Sequence, residues 1–287
     1  AVAYLVRKYN ADAGVVISAS HNPMEFNGIK IFAGTGYKLP DEGENEIEAY
    51  IDNQCAGLKL ATGDDVGRVT CRTDGIKDYT DHLYESINGD LSGLNICIDC
   101  ANGASAAAAR QLFPRLGAKC TFIGVEPDGK NINAGVGSTH LDNLEKAVVE
   151  GGFDCGIAFD GDADRCLAVD EKGREIDGDK IIAILAKDLK DAGKLPEDTA
   201  VVTVMSNLGF IEYMKQNGMK TAVTAVGDRY VLEEMRDKGY VIGGEQSGHI
   251  ILLAHSTTGD GELTAGMLLR TMAEKKCRMS ELNDVYV

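Results

Sequence analysis

The sequence predicts an α/β protein of tandem related three-layer α/β/α domains, with mainly parallel mixed sheets around a shared cleft. Three observations carry this. Short β-branched runs alternate with helical stretches and glycine-rich turns, the signature of βα units. The 287 residues, 44% of them hydrophobic, exceed one typical domain and suffice for several cores. The segments NICIDCANGASAAAARQLFPRLGAKCTFI and VVTVMSNLGFIEYMKQNGMKTAVTAV follow one plan of strand, Asn-containing turn, helix, glycine break and strand. That weak repeat has a period of about a hundred residues, too long for a solenoid and suited to duplicated domains facing one cleft.

The expected units are 1–74, 75–177 and 178–287. The first has a helix to about Tyr9, a strand AGVVIS, the loop SASHNP, a strand GIKIF, and a helix after Pro40 whose first turn, DEGE, is acidic. The stretch GDDVGRV breaks the pattern. The second unit runs from a helix at Ile76 to Ile87 through strand LNICIDC, turn ANGA, an alanine-rich helix, strand AKCTFI, a glycine-rich loop, helix LDNLEKAVVE, strand CGIAF, the loop DGDADR and a return strand CLAVD. The third opens with helix GDKIIAILAKDLK, then strand TAVVTVM, a helix from Leu208, strand KTAVTAV, a helix from Asp228, strand YVIGG, loop EQSGH, strand IILLA and a helix starting near Asp260.

The net charge of −16 and pI near 4.7 exclude broad electrostatic affinity for nucleic acid or anionic membrane, so an anionic substrate requires a local positive site. No apolar run approaches the roughly 18 to 20 residues that span a bilayer, and AVAYLVRKYNADAG lacks the form of a signal peptide. A cytoplasmic location is expected. The chain opens in what reads as the middle of a helix, so a fragment of a longer protein is also expected. Eight scattered cysteines give neither a disulfide framework nor a repeated zinc pattern, and the lone CxxC, Cys97 to Cys100, reads as core packing.

Three polar loops follow strand ends, where open α/β sheets place ligands. In SASHNP, Ser20 stands beside His21 and Asn22, with Lys30 on the next strand. Such a tetrad is often only a turn finished by proline, but a serine at a strand end with cationic neighbours also suits a phosphate ester. In DGDADR, Asp160, Asp162 and Asp164 lie two residues apart, so an extended chain directs all three carboxylates to one side. A hard divalent cation relieves their repulsion, magnesium foremost, and Arg165 adds a fork suited to phosphate. An exposed acidic turn is the plain alternative. An EF-hand fails because its sixth position needs Gly where Arg165 stands and because the flanks read as strands, not helices, although Glu171 fills the twelfth position. In GGEQSGH, Glu245, Ser247 and His249 alternate and suit hydroxyl groups, while VGDRY places Asp228 and Arg229 at a helix start as cap or phosphate contact.

Taken together and in order, SASHNP, DGDADR and GEQSGH resemble the three signature loops of the α-D-phosphohexomutase superfamily, and the Gln246 form with GSTHLDNL is similar to its phosphoglucosamine mutase branch. The resemblance implies an isomerase that interconverts glucosamine 6-phosphate and glucosamine 1-phosphate, with Ser20 as the phosphorylated nucleophile and magnesium held by Ser20, Asp160, Asp162 and Asp164. It implies supporting roles for His21, Lys30 and Arg165, and substrate binding by Glu245, Gln246, Ser247, His249 and Arg229. It further implies a glucosamine or glucose 1,6-bisphosphate intermediate or activator, and a homodimer. The superfamily's N-terminal arginine-bearing loop and its fourth, C-terminal domain are not found here, so little activity is expected of these residues alone. Competing readings are a phosphoglucomutase or phosphomannomutase, a magnesium-dependent sugar phosphatase, and a non-catalytic sugar-phosphate sensor.

Overall fold

A computed structural model of the chain describes residues 1–286. Helix α1 (Val2–Lys8) packs on a two-stranded antiparallel hairpin, β1 (Ala13–Ile17) and β2 (Ile29–Ala33), followed by α2 (Asp41–Asp52). Residues 53–73 are almost wholly exposed and contain one short 3-10 turn, Gly63–Asp65, where GDDVGRV breaks the periodic pattern.

The next stretch comprises α3 (Gly75–Ile87), β3 (Asn95–Asp99), α4 (Ser105–Arg115), β4 (Lys119–Ile123), α5 (Asp142–Gly151), β5 (Cys155–Phe159), β6 (Cys166–Asp170) and β7 (Glu175–Ile176). Its sheet has the order β4-β3-β5-β6-β7, with β3 parallel to both β4 and β5, and β6 and β7 antiparallel at one side. The last stretch comprises α6 (Gly178–Asp191), β8 (Thr199–Thr203), α7 (Leu208–Gln216), β9 (Lys220–Thr224), α8 (Asp228–Lys238), β10 (Ile242–Gly244), β11 (Ile250–Leu252), α9 (Gly261–Lys275) and α10 (Met279–Leu282). Its sheet has the order β11-β10-β8-β9, parallel except for the β10–β11 hairpin. Each larger sheet therefore has a parallel centre with antiparallel strands at an edge. The strands β5, β6 and β8 are buried at every residue, which accounts for their continuous apolar runs.

Local signals place the ends of the helices. Asp177 caps α6 by accepting from the Lys180 amide at 2.9 Å, and Asp260 caps α9 by accepting from the Leu263 amide at 3.0 Å. Three elements depart from the sequence reading. The expected strand TAVVTVM ends at Thr203, and Val204 and Met205 lie exposed in the turn beyond the sheet. The short β7 and α10 were not anticipated, because two and four residues carry no measurable periodicity.

The principal core runs through the second and third stretches without interruption. Its hub is α9, which is buried on almost every side and packs against α3 and α6 as well as β6. Close approach is possible because a Cβ on Gly266 would fall 2.1 Å from Ile87 Cδ1. The CxxC pair is buried as core packing, Cys97 beneath α5 and Cys100 in the principal core, and burial pushes the two thiols up to about 11 and about 12. Every cysteine is free. Among the described residues no helix is long and apolar enough to cross a membrane.

Phe113 of α4 stacks on Phe159, the last residue of β5, with ring centroids 6.4 Å apart, and both rings are fully buried. Phe113→Ala is expected to cost about 3–5 kcal/mol, read from urea unfolding. Glu262, 2% exposed in the first turn of α9, is pushed up to about 8, by burial first and then by the Asp260 charge. A carboxyl whose folded pKa is raised favours folding while protonated; its contribution is complete below the unfolded value of 4.5 and is lost as pH rises toward about 8. Glu262→Gln is therefore expected to flatten the loss of stability across that window, and parallel thermal-unfolding profiles for the two proteins would refute this.

Candidate functional site

The serine loop joins β1 to β2 and is closed at its base by the Ser18 amide donating to Gly28 O at 2.9 Å. Ser20 takes a left-handed backbone conformation, φ 54°, a strained choice for a non-glycine residue that calls for restraint by its surroundings. Its amide donates to Ser18 Oγ at 2.9 Å, and its hydroxyl donates to Asp160 Oδ2 at 2.7 Å. The nucleophile candidate and the aspartate loop thus meet directly, although 140 residues separate them.

The aspartate loop leaves β5 at Asp160. Its chain is not extended as the alternate spacing suggested: the Ala163 amide donates back to Asp160 O at 3.1 Å, and Ala163 has φ 60°. The turn nevertheless gathers Asp160, Asp162 and Asp164, with one oxygen from each within 4.8 Å of the others. Lys30 answers this charge, donating to Asp162 Oδ2 at 2.6 Å and Asp164 Oδ2 at 2.8 Å. Burial opposes the Lys30 charge, but Asp164 and Asp162 outweigh it and raise its pKa. Asp160 is pushed up to about 7 by burial first, then by the charges of Asp164 and Asp162. Burial also opposes ionisation of Asp164, yet the facing His249 and Lys30 hold its carboxyl well below the usual range.

Two further oxygens, Asp162 Oδ1 and Asp164 Oδ1, are buried without a hydrogen-bond partner. Orphaned acceptors of this kind, in an all-oxygen set beside a serine hydroxyl, fit a hard divalent cation such as magnesium. Arg165 donates its amide to Asp160 Oδ1 at 3.1 Å, while its side-chain Nε is buried and unpartnered. His21 Nδ1 is likewise buried and unpartnered, and burial, then the Arg165 charge, lower its pKa.

The third loop is the β10–β11 turn, and here the structure separates residues that the alternate spacing had put on one face. Gly248, at φ 90°, lies against Cys166, whose O is 2.5 Å from where a Cβ would stand. The Cys166 amide donates to Gly248 O at 3.0 Å, and Arg165 bridges to His249. This bridge turns His249 inward, 4% exposed, with Nδ1 3.6 Å from Asp164 and Nε2 3.4 Å from Asp228. Burial lowers the His249 pKa, but Asp164 and Asp228 more than reverse this. Ser247 stays exposed, Gln246 donates to Asp177 Oδ2 at 3.1 Å, and Glu245 Oε1 accepts from the Gly227 amide at 3.2 Å.

A cavity of about 570 Å³ is lined by Ser20, Lys30, Asp162 and Asp164 together with Lys38, Asn102 and Asn131. Arg229 faces an adjoining groove of about 400 Å³, where it pairs with Asp41 and, at 2.8 Å, with Glu233. Thus Ser20, Lys30, the three aspartates and His249 share one cluster, whereas Glu245, Gln246, Ser247 and Arg229 do not line the main cavity. Sequence reasoning missed Lys38, whose ammonium contacts Asp228. It also missed Asn133, whose amide donates to Ser20 O and to Asn22 O, both at 2.9 Å. Neither lies in a polar cluster that would have singled it out.

The fold and this serine and aspartate cluster define a multidomain α/β protein with a candidate cation site, and sequence comparison assigns the family. Residues 1–56, 77–173 and 177–286 match the phosphoglucomutase/phosphomannomutase alpha/beta/alpha domains I, II and III, respectively. The chain belongs to the phosphoglucomutase/phosphomannomutase family. It is 55% identical over 285 residues to a phosphoglucosamine mutase of Clostridium tetani, covering 99% of this chain and 64% of that protein. It is 54% identical over 284 residues to a phosphoglucosamine mutase of Acetivibrio thermocellus, covering 99% and 63%. The chain therefore spans less than two thirds of these relatives.

Among solved structures, a phosphoglucomutase/phosphomannomutase family protein of Burkholderia thailandensis superposes with a TM-score of 0.81 at 22% identity, over 96% of this chain and 59% of that one. The N-acetylphosphoglucosamine mutase of Aspergillus fumigatus, in complex with GlcNAc-6P and magnesium, superposes with a TM-score of 0.69 at 19% identity, over 100% and 76%.

Magnesium titration by calorimetry is expected to show binding that Asp162→Ala weakens at least tenfold, since the substitution removes a buried acceptor from the cluster. Equal affinity in the variant would remove Asp162 from the ligand set.

Proposed function

We propose that the protein to which this chain belongs interconverts glucosamine 6-phosphate and glucosamine 1-phosphate through a phosphoserine at Ser20 and a sugar 1,6-bisphosphate. The observation that carries this reading is the Ser20 hydroxyl, held 2.7 Å from Asp160 among three gathered carboxylates. Identity of 54–55% to relatives named phosphoglucosamine mutase supports the choice of sugar. On this reading residues 1–74 bring the phosphoryl carrier, 75–177 the cation loop and 178–287 the sugar-reading loop.

Phosphoryl transfer needs chiefly positioning and charge stabilisation. The free hydroxyl of the sugar monophosphate attacks phosphorus on Ser20; its oxygen–phosphorus bond forms as the Ser20 Oγ–phosphorus bond breaks, and the hydroxyl proton ends on Ser20 Oγ. The bisphosphate then turns over and returns its other phosphoryl group to Ser20. When bound by Asp160, Asp162, Asp164 and the Ser20 phosphate, magnesium supplies neutralising charge to the phosphoryl oxygens.

Arg165, whose Nε is buried and unpartnered, is assigned to donate to the same oxygens. The unpartnered His21 Nδ1 makes that ring the candidate carrier of the proton, while the Lys30 ammonium, already paired with two carboxylates, serves as countercharge. Glu245, Gln246, Ser247, His249 and Arg229 are assigned to the sugar and its second phosphate, with His249 acting from beneath the loop. Glucosamine or glucose 1,6-bisphosphate serves as the activator that loads Ser20. A cytoplasmic homodimer completes the proposal.

Incubating the full-length protein with glucosamine 1,6-bisphosphate is expected to add one phosphoryl group at Ser20, read by intact mass. Ser20→Ala is expected to lower kcat by about three orders of magnitude or more. Release of inorganic phosphate without labelling of Ser20 would instead indicate a phosphatase, and a higher kcat/KM with glucose or mannose phosphates would overturn the choice of sugar.

A further inference from the structure

Ser20 is an awkward residue to hold where it stands. Its left-handed backbone is disfavoured in a non-glycine residue, so an unsupported loop would relax and swing the hydroxyl away from Asp160. Within the loop, restraint comes from the Ser20 amide on Ser18 Oγ, at 2.9 Å, and from Asn22, whose amide and side chain both donate to Ala19 O at 3.0 Å. Neither engages the Ser20 carbonyl.

That carbonyl is held from the neighbouring stretch of chain. Asn133, 4% exposed, donates through Nδ2 to Ser20 O and to Asn22 O, both at 2.9 Å. A single amide group thus clamps the two carbonyls that bracket His21. Asn133 is itself fixed: its amide donates to Ala101 O at 2.9 Å, and its backbone is left-handed, φ 56°, a conformation that asparagine tolerates better than most side chains.

The same seam carries the aspartate loop. Gly161 O accepts from the Ala104 amide at 2.9 Å, and a Cβ on Gly161 would meet Ser20 O at 2.5 Å and Asn133 Nδ2 at 2.9 Å. The turn after β3, the Gly161 backbone and the Ser20 carbonyl are therefore stacked in contact, and Asn133 joins the outer two layers, its backbone amide on Ala101 O and its side chain on Ser20 O.

We infer that Asn133 is a positioning residue for phosphoryl transfer: it fixes the Ser20 backbone against the aspartate loop so that Oγ faces Asp160. It touches neither substrate nor phosphoryl group. The inference rests on the mutase reading of Ser20. A misplacement of about 1 Å at a reacting atom is enough to slow such a step about a hundredfold. The sugar-reading residues and the three aspartates lie on other loops, and Arg165, Lys30 and His249 still face the carboxylates when Asn133 is changed.

The test uses the full-length protein with Asn133→Gly, which preserves the left-handed backbone while removing the donor, and with Asn133→Asp, which keeps the shape but cannot donate to two carbonyls. Single-turnover phosphorylation of Ser20 by glucosamine 1,6-bisphosphate is followed by intact mass, alongside steady-state kcat and KM, magnesium affinity and thermal unfolding. Slowing of Ser20 phosphorylation and kcat by about ten- to a hundredfold in both variants, with KM and magnesium affinity within about twofold of wild type, is the expected result.

Wild-type phosphorylation rates in a folded Asn133→Gly protein would overturn the inference and leave the mutase reading intact. Equal losses in labelling rate, KM and magnesium affinity would also overturn it, since they would indicate a merely structural role. Failure of the wild-type protein to label Ser20 would instead remove the mutase reading, and this inference with it.

Discussion

Three carboxylates held with oxygens inside 4.8 Å of one another are the constraint on which this molecule turns. Like charges at that separation, largely removed from water, repel strongly, and the fold has to supply compensation from elsewhere in the chain. It does so from both neighbours. The first stretch contributes the Lys30 ammonium and the Ser20 hydroxyl, and the third contributes His249, so the acidic loop of the second becomes the junction of all three. Even so, Asp160 is driven up to about 7 and two acceptor oxygens stay orphaned, which leaves the cluster short of positive charge. A site in that condition is matched to a divalent cation.

Rigid packing keeps these groups in register. The helix α9 is shared by the second and third stretches, and Gly266 lets it lie directly against Ile87 of α3. On the other side of the cluster, Cys166 and Gly248 exchange a backbone hydrogen bond and Arg165 bridges to His249, so the aspartate loop and the β10–β11 turn are stitched together through the main chain. Backbone contacts of this kind depend little on side-chain flexibility and transmit position well, which suits chemistry whose barrier falls mainly through alignment.

The serine loop is held differently. Only the two-stranded hairpin and α1 support it within its own stretch, and its contacts to the cluster are side-chain hydrogen bonds: Ser20 to Asp160, Lys30 to Asp162 and Asp164, and Asn133 to the loop carbonyls. The contrast is physical. The aspartate and third loops form a scaffold fixed by main-chain pairing, and the serine loop is seated on that scaffold by a handful of polar contacts. On the proposed reading, a serine that gains and loses a phosphoryl group is well served by such adjustable partners.

The alternation of β-branched runs and helices was legible from the sequence because those periodicities are local, and so was the gathering of Asp160, Asp162 and Asp164, because residues so near in sequence stay near in space whether the chain is extended or turned. Ser20 and Lys30 were legible as chemistry-bearing residues at strand ends. Tertiary structure alone decided the rest. His249 shares an alternating pattern with Glu245 and Ser247, yet pairing with Arg165 turns it inward to Asp164 and Asp228. Lys38 meets Asp228 across 190 residues, and Asn133 reaches Ser20 across 113. A side chain's partners at such separations depend on how the sheets pack against one another, and no spacing along the chain encodes that.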